Sequence, residues 1–373
     1  MLDRAFVAKL AGRTDDMLRA LEELVEAESP SKDASALGRC ASVLAEVGEA
    51  ALGAAPEALH SDGYLHLRWR WGTRPAVLIL GHFDTVWPQG TLRRWPFAID
   101  DGMATGPGVF DMKAGLVQGL YGLGELDDRT GIEVLLNSDE EIGSPTSRQL
   151  IEDAARSARF VLVLEPSFNG ALKVARKGGA RFSIQIAGKA SHAGLDPERG
   201  VNALVELAHQ IVAIQRIARP EEGTTITPTL ATAGTSPNTV PATAVIELDV
   251  RAPTALELER VDRELKALQP VLSGAAVDVH GGIDRLPLER TQSLPLFELA
   301  GEVAADLGLP RLSAAEVGGG SDGNFTAALG VPTLDGLGAV GDGAHAEGEH
   351  IVVAAMAERA ALVAALAARL RSS

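Results

Sequence analysis

Three short apolar runs, PAVLILGHFD (75–84), IEVLLNS (132–138) and FVLVLEP (160–166), constrain this chain more than any other feature. Each is short, uncharged in its middle and rich in Val, Ile and Leu, as strands buried on both faces are. Segments with helical spacing separate them, MKAGLVQGLYGLGEL between the first two and SRQLIEDAARS between the second and third. That alternation predicts an α/β fold, a mostly parallel sheet flanked by helices. In such sheets functional groups gather beyond the carboxyl ends of the strands. All three runs lead into ionisable residues there: HFD, then DEE, then EP.

The texture changes after the third run. RFSIQIAGKASHAG alternates with period two, and VNALVELAHQIVAIQR (201–216) is a long amphipathic helix. TITPTLATAG, AVIELDVRAP and AVDVHGGIDR read as strands, with the helix ALELERVDRELKALQP among them. Two helices on about four strands predict a smaller α+β domain set into the first. The expected division is 1–173 for the first part of a catalytic domain, 174–287 for the insert and 288–373 for the second part.

Composition excludes some partners. A formal charge of −16 argues against nucleic acid or an anionic membrane surface. No apolar stretch approaches the ~20 residues of a membrane span. The N-terminal segment shows no signal peptide, so the expected location is cytoplasmic, or periplasmic if a leader has been removed. Cys40, the single cysteine, excludes an internal disulfide and a thiolate metal cluster, and sits in a helical pattern as a core residue.

The chemistry lies in GHFDTV, GPGVFDMKAG, SDEEIGSP, VLEPS and GAHAEGEH, which supply His82, Asp111, Glu140, Glu141, Glu165 and His345. Each has an ordinary reading. A lone strand histidine is more often a satisfied core residue, and Asp111, just before a helix, more often an N-cap. Asp84, two residues after His82, shares its face of the strand, where a carboxylate can orient an imidazole. Adjacent Glu140 and Glu141 at a strand end repel unless a cation or proton separates them. Together, two histidines and three carboxylates make a mixed N/O donor set suited to Zn²⁺, with Co²⁺ or Mn²⁺ as substitutes. One carboxylate more than the ligand count supplies a hydrolase's general base.

GHFDTV, GPGVFDMKAG, NSDEEIGSP, GKASHAG and the final HAEGE resemble, in this order, the zinc-dependent family of carboxypeptidase G (glutamate carboxypeptidase), succinyl-diaminopimelate desuccinylase and aminoacylase. The resemblance covers nearly the whole chain. VNALVE after the central histidine and GGGSDGN before the last motif make it most similar to carboxypeptidase G. It implies two Zn²⁺ per subunit: His82 and Glu165 on one ion, Glu141 and His345 on the other, and Asp111 bridging them. It also implies that Asp84 orients His82, that Glu140 is the base acting on a bridging water, and that the Asp111–Met112 peptide is cis. Glu at position 165 is the form of carboxypeptidases and deacylases. Glu349 keeps the family's acidic position four residues after His345.

For the insert, which is the dimerisation and lid domain of that family, the resemblance implies a homodimer in which His192 reaches the partner's site and stabilises an oxyanion. Asn238 and Arg251 fall at substrate-binding positions, Arg251 offering a fork for a carboxylate; a surface ion pair is its ordinary reading. Gly319, within Gly318–Gly320, lets backbone approach a substrate, as it would in a merely tight turn. The expected activity is release of a C-terminal amino acid of glutamate type from an N-acyl or short peptidyl substrate bearing a free carboxylate. The alternatives are an N-acetyl or N-succinyl amino-acid deacylase and, remotely, a non-catalytic metal- or peptide-binding protein. Retention of Glu140 beside all five ligands argues against the last. A phosphohydrolase lacks its Lys/Arg cluster here.

Overall fold

The three apolar runs become the centre of a six-stranded sheet in a computed structural model that describes residues 2–372. The strand order is Glu57–Ser61, Tyr64–Arg70, Ile132–Asn137, Val77–His82, Phe160–Val163, Thr333–Leu334. The last four run parallel and the first two pair antiparallel. Every residue of Val77–His82 and of Ile132–Asn137 is buried. Alternation splits them between two cores: Val77, Ile79, Val134 and Leu136 face one, Leu78, Leu80 and Leu135 the other. The α/β reading, with helices on both faces, is what the structure shows.

The larger core is built by helices Thr14–Glu26, Ala34–Leu52, Ala114–Gly124, Arg290–Leu307 and Met356–Arg371; Arg148–Ser157 covers the opposite face. Gly122 and Gly124 permit close contacts between these helices, because a Cβ would stand 2.3 Å from the carbonyl oxygen of Ala360 at the first and 2.2 Å from that of Ala51 at the second. Cys40 is fully buried among them. The Arg4–Ala11 helix, capped by Asp3, was not expected from the sequence. Among the described residues no helix is long and apolar enough to cross a membrane.

The chain divides into two compact units. The first takes the residues up to Ala175, Arg290–Val317 and those from Ser321 on; the second takes Arg176–Glu289 and Gly318–Gly320. These seams fall two residues after those drawn from the sequence, and Gly318–Gly320 group with the insert. The second unit is an antiparallel sheet ordered Thr225–Ala233, Thr243–Ala252, Gly178–Ala187, Ala276–Arg285, carrying helices Ala203–Ile217 and Ala255–Lys266. Ile184, Ile246, Leu248, Leu207 and Val261 fill its core.

Candidate metal centre

The central strands deliver their polar ends to one place. His82 ends its strand with its side chain buried, and Asp84, fully buried, follows two residues on. The His82 Nδ1 lies 3.1 Å from the Asp84 carbonyl oxygen and 3.3 Å from its carboxylate. Asp84 has further partners. Its two carboxylate oxygens accept the backbone N–H groups of Glu140 and Glu141, each at 3.1 Å. One buried carboxylate therefore ties the end of one strand to the single helical turn Glu140–Ile142 beyond the next.

Asp111 is not a helix cap. Its backbone is non-helical (φ −113°, ψ 94°), and the helix begins three residues later at Ala114. The Asp111–Met112 peptide is cis. His345 sits in a turn with a positive φ of 63°, between short strands Gly341–Asp342 and His350–Val352. Glu165 lies two residues past the Phe160–Val163 strand and is buried.

These side chains meet in two groups that share Asp111. His82 Nε2 stands 3.3 Å from Asp111 Oδ1 and 3.4 Å from Glu165 Oε1. His345 Nε2 stands 3.4 Å from Asp111 Oδ2 and 3.1 Å from Glu141 Oε1. Ligand atoms 2.0–2.2 Å from one tetrahedral Zn²⁺ would be about 3.4 Å apart. The spacing is that of donors around a common ion. His82 Nε2 and Asp111 Oδ1 are also buried without a hydrogen-bond partner, although they face each other. Such atoms call for a partner, and a cation fits both. Glu140 lies close by: one oxygen of its carboxylate falls within 4.8 Å of ligand atoms of both His82 and Glu165.

Left to itself, the cluster draws protons. Burial opposes charge on His82, but Asp111, Asp84 and Glu165 outweigh it and hold its pKa well above the usual range. Asp111 and Glu141 push His345 up to about 10. Burial resists ionisation of Asp111, yet the two imidazoles hold its carboxyl far below the ordinary value. Burial pushes Glu141 up. The two imidazoles are thus held charged beside an ionised Asp111.

Several supporting residues had no role in the sequence reading. Asp139 accepts Thr146 N–H at 2.6 Å and Ser147 Oγ at 2.5 Å, while Asp322 accepts Asn137 Nδ2 at 2.6 Å and the Ser144 hydroxyl. This buried network lies behind Glu140 and Glu141. The Lys113 ammonium, buried, donates to the carbonyls of Leu24 (2.7 Å) and Ala27 (3.0 Å), satisfying the end of the Thr14–Glu26 helix. Lys173 brings a cation within 3.8 Å of Glu165. Glu349, fully buried, accepts N–H donors from the loop that carries Asp111. Burial pushes its carboxyl up, against the pull of those donors. Asp139, Lys113, Asp322 and Glu349 each fall inside a quoted motif, so their signal was present but could not be told from that of the ligands.

The other four expected residues belong to the second unit. His192 Nδ1 accepts the backbone N–H groups of Gly194 and Leu195, both at 3.1 Å. That places the proton of the neutral ring on Nε2. The Asn238 carbonyl accepts Ala193 N–H at 2.9 Å, and its side-chain oxygen accepts Ser236 Oγ. The Arg251 fork closes on Asp249, with both bonds at 2.9 Å. Arg176 Nη1 grips the carbonyls of Gly319 (3.2 Å) and Gly320 (3.1 Å).

Known proteins of similar sequence and fold exist. Carboxypeptidase G2 of Pseudomonas sp. (strain RS-16) is 30% identical, over 94% of this chain and 88% of its own. Succinyl-diaminopimelate desuccinylase of Methylorubrum populi is 29% identical, over 88% of this chain and 94% of its own. Two solved structures share the fold. Aminopeptidase PepT from Bacillus cereus has a TM-score of 0.74 at 23% identity, covering 96% of this chain and 98% of that one. An M20 family metallo-carboxypeptidase, Sso-CP2 from Sulfolobus solfataricus, has a TM-score of 0.71 at 17% identity, covering 96% and 99%. The profile of Peptidase family M20/M25/M40 matches residues 78–369, which hold every residue of the cluster. The chain belongs to that peptidase family, and is a hydrolase of the metal-using kind.

Proposed function

We propose that this chain is a di-zinc amidohydrolase that releases a C-terminal amino acid of glutamate type from an N-acyl or short peptidyl substrate. The observation that carries this reading is the division of Asp111 between two histidine–carboxylate pairs, one per oxygen. In this reading His82 and Glu165 hold one ion, His345 and Glu141 the other, and Asp111 bridges them. Co²⁺ or Mn²⁺ would suit the same donors. When bound, such ions acidify a water and polarise the amide carbonyl.

Glu140 takes the water's proton as the oxygen attacks the carbonyl carbon. It then hands that proton to the amide nitrogen, so that the C–N bond breaks to an amine and a carboxylic acid. Asp84 positions this base through the backbone N–H of Glu140. His192, its proton set on Nε2 by the two bonds to Nδ1, presents a fixed donor to the oxyanion that develops in the site of the other copy of a homodimer. Asn238, Arg251 and Gly319 receive the substrate's free carboxylate end. Arg251 must first release Asp249, so a substrate carboxylate displaces an existing partner of the same kind.

The second unit is assigned as the lid and the dimer contact. Thr225–Ala233 is an edge strand with six consecutive exposed residues, among them Leu230, 69% exposed. Leu204, Val205 and Val212 of the neighbouring helix are also exposed. An exposed strand edge beside exposed apolar side chains asks for a partner, and a second copy supplies one. A second substrate reading, an N-acyl amino-acid deacylase, draws support from the desuccinylase relatives.

The test is a hydrolysis screen of N-acyl, α-linked and γ-linked conjugates of glutamate, aspartate and neutral amino acids, with and without chelator. Chelator-sensitive release of glutamate supports the proposal. Faster turnover of N-succinyl or N-acetyl amino acids selects the deacylase, and no turnover of any amide with zinc supplied overturns both.

A further inference from the structure

Glu349 accepts three backbone N–H groups of the loop that carries Asp111. Its Oε1 accepts the backbone N–H groups of Phe110 at 2.8 Å and Asp111 at 2.9 Å. Its Oε2 accepts Gly108 N–H at 3.0 Å and the Trp87 indole N–H at 2.9 Å. A carboxylate offers about four lone-pair sites, and all are taken. Trp87 is itself held, edge-on to Trp95 with ring centroids 5.1 Å apart.

The loop needs such an anchor. Gly108 has a φ of 74°, Asp111 is outside regular structure, and no strand or helix ladder uses the N–H groups that Glu349 receives. The same residue closes the His345 turn. Glu349 N–H donates to Ala346 at 3.1 Å, Ala346 N–H to Gly343 at 2.9 Å, and the strand that follows pairs His350 with Thr105. Glu349 thus joins two segments far apart in sequence, one carrying Asp111 and the other His345.

We infer that Glu349, held by Trp87, is a positioning residue for the metal centre, setting the bridging carboxylate of Asp111 and the turn of His345 in one register. The inference rests on the metal reading proposed above. Because each Asp111 oxygen faces a different histidine, a shift of its backbone misplaces donors to both ions. A carboxylate is required rather than an amide. Glutamine would turn an NH₂ group toward two of the four donors, leaving them unpaired or pushing the loop away.

The experiment measures the zinc dissociation constant of the full chain by competition with a chromophoric chelator, alongside the urea midpoint of the apo protein. Glu349→Gln should weaken zinc binding about 10–100-fold, the usual range for groups that orient ligands. Trp87→Phe, which removes one donor and keeps a ring, should weaken it a few-fold, and Glu349→Asp should recover part of the loss. A purely structural role would lower the urea midpoint while leaving the dissociation constant of the folded protein within twofold, and that result overturns the inference. If Glu349→Gln does not fold, Trp87→Phe decides: weaker binding supports the inference and unchanged binding refutes it. A parent protein that takes up no zinc overturns the metal reading instead, and this inference with it.

Discussion

Replacing Asp84 by asparagine keeps its shape and exchanges one oxygen for an NH₂ group. The carboxylate is fully buried and receives two backbone N–H groups, from Glu140 and Glu141, both at 3.1 Å. However the amide turns, one of those N–H groups faces another donor. A buried donor left unpaired costs about 1–3 kcal/mol, and the bond that survives loses its charge assistance. The sum is about 2–4 kcal/mol. All four tryptophans, at 69, 71, 87 and 95, lie in the first unit, so urea denaturation followed by their fluorescence reads this unit alone. His82 also loses the carboxylate 3.3 Å from its Nδ1, keeping only the carbonyl at 3.1 Å. Zinc affinity should fall about 10–100-fold. An Asp84→Asn protein with the parent's urea midpoint and zinc affinity would refute the reasoning, because neither the donors nor the ring would then depend on the charge.

Other perturbations probe separate parts of the account. Gly122→Ala forces a Cβ to 2.3 Å from the Ala360 carbonyl oxygen, so overpacking of about 1–3 kcal/mol should exceed the gain in helix propensity, and the urea midpoint should fall. Gly38→Ala, in helix Ala34–Leu52 with open space at its Cβ, should raise the midpoint through a gain in stability of up to about 1 kcal/mol; equal effects would undo the packing argument. In the second unit, Arg260 and Thr224 hold the Glu257 carboxyl down from 4.5 to about 2. Its stabilising effect is complete above pH 4.5 and is lost as pH falls toward 2. Glu257→Gln should flatten that part of the acid unfolding curve followed by circular dichroism, and a curve of parent slope would count against the ion pair. Arg251→Ala should raise KM for substrates with a free C-terminal carboxylate more than for their amides, and equal effects on both would remove its proposed role.

The sheet was legible because burial on both faces leaves a strong mark: LILG, IEVLL and FVLVL are almost wholly apolar, and the one exception, the buried Glu133, is held by Arg70 of the neighbouring strand. The ionisable residues at the strand ends were legible for the converse reason, since polar groups there are costly unless something uses them. Asp84 was read as a partner for His82 alone. Its bonds to Glu140 and Glu141 span more than fifty positions and depend on how two adjacent strands end, which no local pattern records. Glu349 is the clearest such case. The motif GAHAEGEH marks its position as acidic, and only the fold shows four donors converging on it. An ion pair was the ordinary reading of Arg251, and the fork on Asp249 forms one; the partner itself was not legible, because residues two apart on a strand share a face with or without bonding.

The central claim is that Glu140 moves the proton while five other side chains hold the ions. Its most direct test is Glu140→Gln, with zinc content and hydrolysis of an N-acyl glutamate measured on the same preparation. The account predicts two zinc ions per chain, as in the parent, with kcat reduced by about 10²–10⁴-fold. Loss of zinc, or turnover near that of the parent with zinc retained, would contradict it.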